Sequence, residues 1–161
     1  MTFAKGPEEL LGPADMAHMS GLDFMQGILD GRLPAPPIAR TMGYHLHAVA
    51  KGRVAFRGTP TFDVCNPLGA VHGGWYGTLL DSAMACAVQT MVPQGAAYTT
   101  LEYKINIIRS IPTGTEVECV GIADHVGRST GVAHGEIRGV EDDRLYATGS
   151  TTCIVLNIPR G

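Results

Sequence analysis

Over residues 74–91 apolar side chains return at helical spacing, at Trp75, Tyr76, Leu79, Leu80, Ala83, Met84, Ala87 and Val88, and no proline interrupts them. A pattern this dense predicts one long, largely buried helix, ended by Pro93 and Gly95. Downstream the period changes to four strand-like runs, over 97–108, 116–125, 131–140 and 144–156, separated by the turn sequences IPTG, VGRS and EDDR. Upstream, YHLHAVAKGRVAFRGTP reads as two strands joined around Lys51-Gly52-Arg53, a hairpin. SGLDFMQGILDGR sets Leu22, Met25, Ile28 and Leu29 at helical spacing behind a Ser20 cap and ahead of a Gly31 stop. The prolines of LPAPPIA argue for an extended linker without regular structure. The first twenty residues mix glycine, proline and charge without a period and read as a flexible arm. The expected organisation is an arm over 1–20, a short helix and proline-rich linker over 21–42, and one domain over 43–161. That domain would be α+β, an antiparallel sheet whose apolar face is covered by the one long helix.

A chain of 161 residues suits a single core. Its formal charge of -3 supplies no basic field for nucleic acid or an anionic membrane, so neither is an expected partner. Cys65, Cys86, Cys119 and Cys153 form no CxxC pair and read as reduced, buried thiols. Acids and prolines stand where a signal peptide has its apolar core, and Asp81 breaks the best candidate for a membrane span. The expected location is the cytoplasm. His45 and His47 share one strand face with no third ligand in view, so no metal is expected.

The chemistry concentrates in NPLGAVHGGWYGTLLDSAMA, residues 66–85. A helix N-terminus exposes unpaired N–H groups with partial positive charge, and glycines at His72-Gly73-Gly74 let a ligand approach them. An oxygen that turns negative during reaction, such as a thioester carbonyl under attack, suits that position. Asp81 is the stronger signal, because an acid within a helix of leucines and alanines needs a reason to be there. Its stripe is Gly74, Gly77, Thr78, Asp81, Ala85 and Val88, with Ser82 beside it, mostly small residues that allow close approach by a helix or ligand. Gly73 and Asp81 are eight positions apart, roughly 12 Å along a helix. One chain therefore cannot bring both to one carbonyl, and a shared reaction predicts a symmetric dimer with two sites built across the interface.

Asn66, Pro67-Leu68-Gly69, His72-Gly73-Gly74 and Asp81 at these spacings resemble the hotdog-fold acyl-CoA thioesterases of the phenylacetate-degradation type. The resemblance covers about residues 43–156, and GLDFMQGILDGRLPAPPIA is similar to the leader of bacterial members. It implies a sheet wrapped around a central helix and an acyl-CoA substrate, with no separate cofactor because CoA is part of that substrate. It further implies a homodimer and, beyond it, a dimer of dimers. On that resemblance Asp81 would be nucleophile or general base, and the Gly73 N–H would polarise the thioester carbonyl with Gly74 beside it. Asn66 would orient water or thioester, His72 would hold the loop, and Thr100 or its neighbour Thr99 would assist the water. Ser82 would border the substrate, and Arg109 and Arg128 would meet the CoA phosphates. Trp75, Tyr76 and Met84 are expected to line the acyl pocket. A thioester is already activated, so a positioned carboxylate and a polarised carbonyl suffice. Two alternatives stand beside this one. A hotdog-fold enoyl-CoA hydratase would use Asp63, Asn66 and His72 but leaves Asp81 without a role. A non-catalytic acyl-CoA-binding module would keep the glycine turn without needing the acid.

Overall fold

The computed structural model describes residues 2–158. Three short helices, α1 (Pro13–Met16), α2 (Gly21–Leu29) and α3 (Pro37–Met42), precede a hairpin of β1 (Tyr44–Ala50) and β2 (Arg53–Gly58). The long helix α4 (Gly73–Gln89) follows, then β3 (Ala96–Ile107), β4 (Val117–Val126), β5 (Thr130–Gly139) and β6 (Leu145–Asn157). The six strands form one antiparallel sheet in the order β1-β2-β4-β5-β6-β3, so β3 and β1 are its edges. This is the α+β arrangement expected, with the hairpin, helix and four strands within two residues of their expected bounds. No helix among the described residues is long and apolar enough to cross a membrane.

Helix α4 is the core. Trp75, Tyr76, Leu79, Leu80, Ala83, Met84, Ala87 and Val88 are all buried, because the sheet curls around one side of the helix and α2 closes on its C-terminal end. Two polar side chains inside this packing are matched: Trp75 Nε1 donates to the Met42 carbonyl at 2.8 Å, and the Tyr76 hydroxyl accepts from Ile111 N–H at 2.8 Å. Close approach depends on glycine in the central strands. A Cβ at Gly121 of β4 would run into the backbone carbonyl of Ala83, and one at Gly135 of β5 would press on Met84.

Two expectations change here. The proline-rich linker is not wholly extended, since PIARTM forms α3 with Pro37 in its first turn. A proline there surrenders an N–H that has no partner inside the helix, and its fixed φ already suits helix. Gly43 at φ 71 then ends α3 and turns the chain into β1. The arm carries a 3-10 turn at Pro7–Glu9 and α1, and it is tied to the body where Phe3 bridges Ala35 and the Ala4 N–H donates to the Ala35 carbonyl at 3.0 Å. Val88, named both among the buried positions and at the end of the small stripe, packs in the core above Gly131.

Gly121→Ala forces a methyl group against helix backbone that cannot move aside, so it is expected to cost about 1–3 kcal/mol. Chemical denaturation measures this, with Gly127→Ala in the β4–β5 turn as a control of smaller effect.

Candidate active site

The face of α4 that carries Asp81 lies against the edge strand β3, and the two run in opposite directions. Gly73 stands over Ile107, Gly77 over Tyr103, and Asp81 over Thr100. The Thr100 hydroxyl donates to the Asp81 carboxylate at 3.0 Å. A β-bulge at Leu101 makes this possible. Before it the even positions Tyr98 and Thr100 face α4, and after it the odd positions Tyr103 and Ile107 do, because one extra residue reverses the alternation. Thr99 is exposed on the other face, so Thr100 is the hydroxyl brought to the acid.

Asp81 is half-buried and has no cationic partner among the described residues. Burial raises its carboxyl above the ordinary value, and the Thr100 hydrogen bond draws it partly back. Its charge reaches Tyr44, Cys86 and Tyr98. Burial holds the Tyr44 hydroxyl and the Cys86 thiol each up at about 12, with the nearby acid adding to both. Ser82, one residue on, shares a 2.8 Å hydrogen bond with the Tyr44 hydroxyl.

The other candidates gather at the N-terminus of α4. His72 is the N-cap, and its Nδ1 accepts the Gly74 N–H at 2.9 Å. That bond occupies the Gly74 donor and requires the neutral imidazole to carry its proton on Nε2. Gly73 N–H makes no hydrogen bond among the described residues, so it is the donor left open at this end. Asn66 Oδ1 accepts from the N–H groups of Leu68 at 2.9 Å and Ala70 at 3.2 Å, closing the turn that delivers the chain to His72. Asn66, His72 and Gly73 are thus at one end of the helix, and Asp81 with Thr100 is midway along it.

The remaining assignments separate. Arg109 follows β3 at the N-terminal end of α4, where its guanidinium donates to the Leu145 carbonyl at 2.7 Å. Arg128 lies in the β4–β5 turn, next to the Gly131 position that packs on Val88 at the C-terminal end. The two arginines are therefore at opposite ends of the helix. Trp75, Tyr76 and Met84 are each 1% exposed or less and belong to the core, although Trp75 also borders an open pocket shared with Asp63, Cys65, His72 and Thr78. The cavity lies elsewhere. About 340 Å³ opens between α2, α3, the hairpin and α4, with Phe24, Ile28, Tyr44, Phe56, Cys86 and Tyr98 among its walls. The sequence signal for it was the face Ser82, Cys86 and Gln89, spaced by four and three on the helix and lined with side chains smaller or more polar than the core positions.

A model of the thioesterase superfamily matches residues 68–146, a span that contains the glycine turn, Asp81 and Thr100. A conserved protein from Pseudomonas aeruginosa is 31% identical, with 74% of this chain and 93% of that one covered and a TM-score of 0.68. The chain belongs to the thioesterase superfamily. A phenylacetic acid degradation-related protein from Ralstonia eutropha JMP134 is 28% identical over 81% of this chain and 98% of its own, with a TM-score of 0.73. A hypothetical thioesterase protein from Streptococcus pneumoniae TIGR4, whose structure contains coenzyme A, shares the fold at 24% identity, covering 73% and 89% of the two chains with a TM-score of 0.65. No curated protein sequence matches. This thioesterase therefore has the hotdog fold and the phenylacetate-degradation type of arrangement, with the one acid of α4 facing the edge strand.

A carboxyl with a raised native pKa stabilises the fold below its unfolded pKa of about 3.9, and that contribution is lost as pH rises through the native value. The ionised acid thus costs stability at neutral pH. Asp81→Asn is expected to raise the melting temperature at pH 8, with the difference from wild type shrinking toward pH 4. Melting curves at both pH values check it, and a difference independent of pH would contradict the burial of an ionised group.

Proposed function

We propose that this thioesterase hydrolyses acyl-CoA at a site shared by two subunits, with Asp81 of one chain and the Gly73 N–H of the other acting on one thioester. The observation that carries this reading is a single helix bearing both a half-buried carboxylate without a cation and, eight residues earlier, an open N–H at its positive end. Coenzyme A in the streptococcal relative supports the choice of thioester. As general base, Asp81 takes a proton from water as the water oxygen adds to the carbonyl. Gly73 N–H then meets the oxyanion, and collapse expels CoA thiolate, which recovers the proton from Asp81. As nucleophile, the same carboxylate adds first, expels the thiolate and forms an anhydride that water opens. Thr100 fixes the carboxylate in either route, and Asn66 holds the loop through the two backbone N–H groups that its Oδ1 accepts. The products are a free acid and CoA, and neither route calls on a metal or a separate cofactor.

A hydratase reading is weaker on this geometry. It needs a histidine able to take or give a proton, and the acceptor nitrogen of His72 is already bonded to Gly74 N–H. A binding module without catalysis leaves the strain of an uncompensated acid at Asp81 unexplained.

Thiol release from aryl- and alkyl-CoA thioesters is expected in the wild type and to fall about 10²–10⁴-fold in Asp81→Asn. Binding of the thioesters without thiol release in either protein would favour the binding module. The activity should also lose its base as pH falls, with a midpoint above the ordinary 3.8 of an aspartate. The shared site has its own test in Gly73→Pro. Proline fits the first helical position, follows well from the extended His72 at φ -64 and ψ 141, and removes only the N–H. Alone it should lose about 10²–10³-fold in kcat. Mixed in equal amounts with Asp81→Asn it should recover up to about a quarter of wild-type activity, since half of the dimers then hold one intact site of two. No recovery in proven mixed dimers would place each site within one chain.

A further inference from the structure

The wall of the 340 Å³ cavity is not made by the folded body alone. Leu10 and Leu11 of the N-terminal arm line it together with α2, the linker, the hairpin and α4. They are the only large apolar residues in the segment KGPEELLG, residues 5–12, and neither the glycine turn nor Asp81 has any use for them. The arm is fixed on both sides of the pair. Upstream, the Ala35 N–H donates to the Thr2 carbonyl at 2.8 Å, Phe3 packs against the core and Ala4 is buried. Downstream, α1 packs against β3. Ala35 and Tyr98 of β3 are themselves lining residues, so the arm passes from one side of the cavity to another and lays its two leucines on it between the anchors.

Apolar contact is what holds this stretch in place. Its hydrogen bonds stay within the arm: the Lys5 N–H donates to the Glu9 carboxylate at 3.0 Å, the Glu9 and Leu10 N–H groups to the carbonyls of Gly6 and Pro7, and the Gly12 N–H to the Asp15 carboxylate at 2.9 Å. Among the described residues none joins residues 5–12 to the rest of the chain. Leu10 lines the cavity and is also 43% exposed, so the wall there is one side chain thick. Elsewhere the cavity is bounded by hydrogen-bonded helices and strands, with Met25, Ala39 and Leu46 buried among them. A segment with few bonds to its surroundings opens at a small cost, so the arm is the side of the cavity that yields.

We infer that residues 5–12 form the yielding wall of the acyl pocket, and that Leu11, with Leu10 beside it, is a specificity-determining residue that limits the length of apolar acyl group accepted. This rests on the thioesterase reading above. With the thioester carbonyl at Asp81, the acyl group passes Ser82 and Tyr98 into the cavity and meets apolar side chains beyond them. A group that fits within the cavity leaves the leucines seated. A longer one has to displace them and give up the contacts they make, while a smaller side chain at position 11 leaves room for it.

The test uses a straight-chain series from butanoyl-CoA to dodecanoyl-CoA on the full-length wild type, Leu11→Ala and Leu11→Trp, with melting curves showing that each is folded. The readout is the ratio of kcat/KM for long members to that for short ones, in which a general loss of activity cancels. Leu11→Ala should raise this ratio by about tenfold or more and Leu11→Trp should lower it by a similar factor, so the preferred length moves in opposite directions. If Leu11→Trp does not fold, Leu10→Trp at the half-exposed neighbour takes its place and should lower the ratio likewise. A ratio equal to that of the wild type in both variants, or one moved the same way by both, would overturn the inference and leave the thioesterase reading standing. If the wild type cleaves no member of the series, that reading has failed, and calorimetric affinities for the same esters decide the arm alone. Opposite shifts of preferred length in those affinities support its role, and an unchanged length dependence overturns it.

Discussion

The fold turns on an acid placed where the packing would otherwise want none. Helix α4 is buried along most of its surface, and Asp81 stands on it at a partly buried position against the edge strand β3. An unpaired carboxylate at a half-buried position carries a desolvation cost that a leucine or alanine would not. The surroundings reduce that cost without removing it. They offer one hydroxyl, from Thr100, and no cation among the described residues, so the carboxyl stays above its ordinary value. Lysine or arginine at Thr100 would have stabilised the chain further and lowered the carboxyl, at the expense of that raised value.

How the strand meets the acid follows from one extra residue. Without the bulge at Leu101, β3 would present either Thr100 or Tyr103 to the helix, because an unbroken strand alternates strictly. With it, Thr100 reaches Asp81 and Tyr103 reaches Gly77, a side chain that would have to give by a few tenths of an ångström had position 77 carried a Cβ. The small residues of the stripe are accordingly matched to what lies over them, and Gly77 in particular is set by the ring of Tyr103.

Much of this was readable from the chain, for identifiable reasons. The helix, the hairpin and the four strands follow from apolar period and turn residues, both of which are local. Asp81 stood out because it contradicts its own neighbourhood, and the 12 Å gap to Gly73 needed only helix geometry. The choice between Thr99 and Thr100 was hidden by the bulge, although the shift of aromatic positions from Tyr98 to Tyr103, five apart rather than an even number, already signalled a change of phase. Helix α3 was obscured by reading its prolines as breakers, when Pro37 stands at the position where proline starts a helix. The cavity lay beyond reach of local patterns, because it exists only where α2, α3 and the hairpin meet α4, and the large side chains expected in it were drawn into the core.

The proposed dimer can be placed by symmetry from within one chain. A two-fold axis that brings Gly73 of one helix opposite Asp81 of the other must pass the midpoint of the pair, which is Gly77. On β3 the residues over Gly73 and Asp81 are Ile107 and Thr100, and their midpoint falls at Tyr103, the residue over Gly77. Helix and strand thus call for the same axis. The strand is suited to it. It is a sheet edge with unpaired backbone groups, and Leu101, Tyr103, Ile107 and Ile108 along it are between 46% and 59% exposed in the single chain. Near the open Gly73 end, Phe62 and Leu68 are 81% and 92% exposed, large apolar side chains that a neighbouring subunit would cover. Pairing β3 with its symmetry mate would extend the sheet, bury this apolar row and set the two α4 helices side by side with the N–H of each near the acid of the other. The same contact that removes the aggregation hazard of an exposed edge would then complete two active sites, so that stability of the assembly and assembly of the catalytic groups depend on one interface.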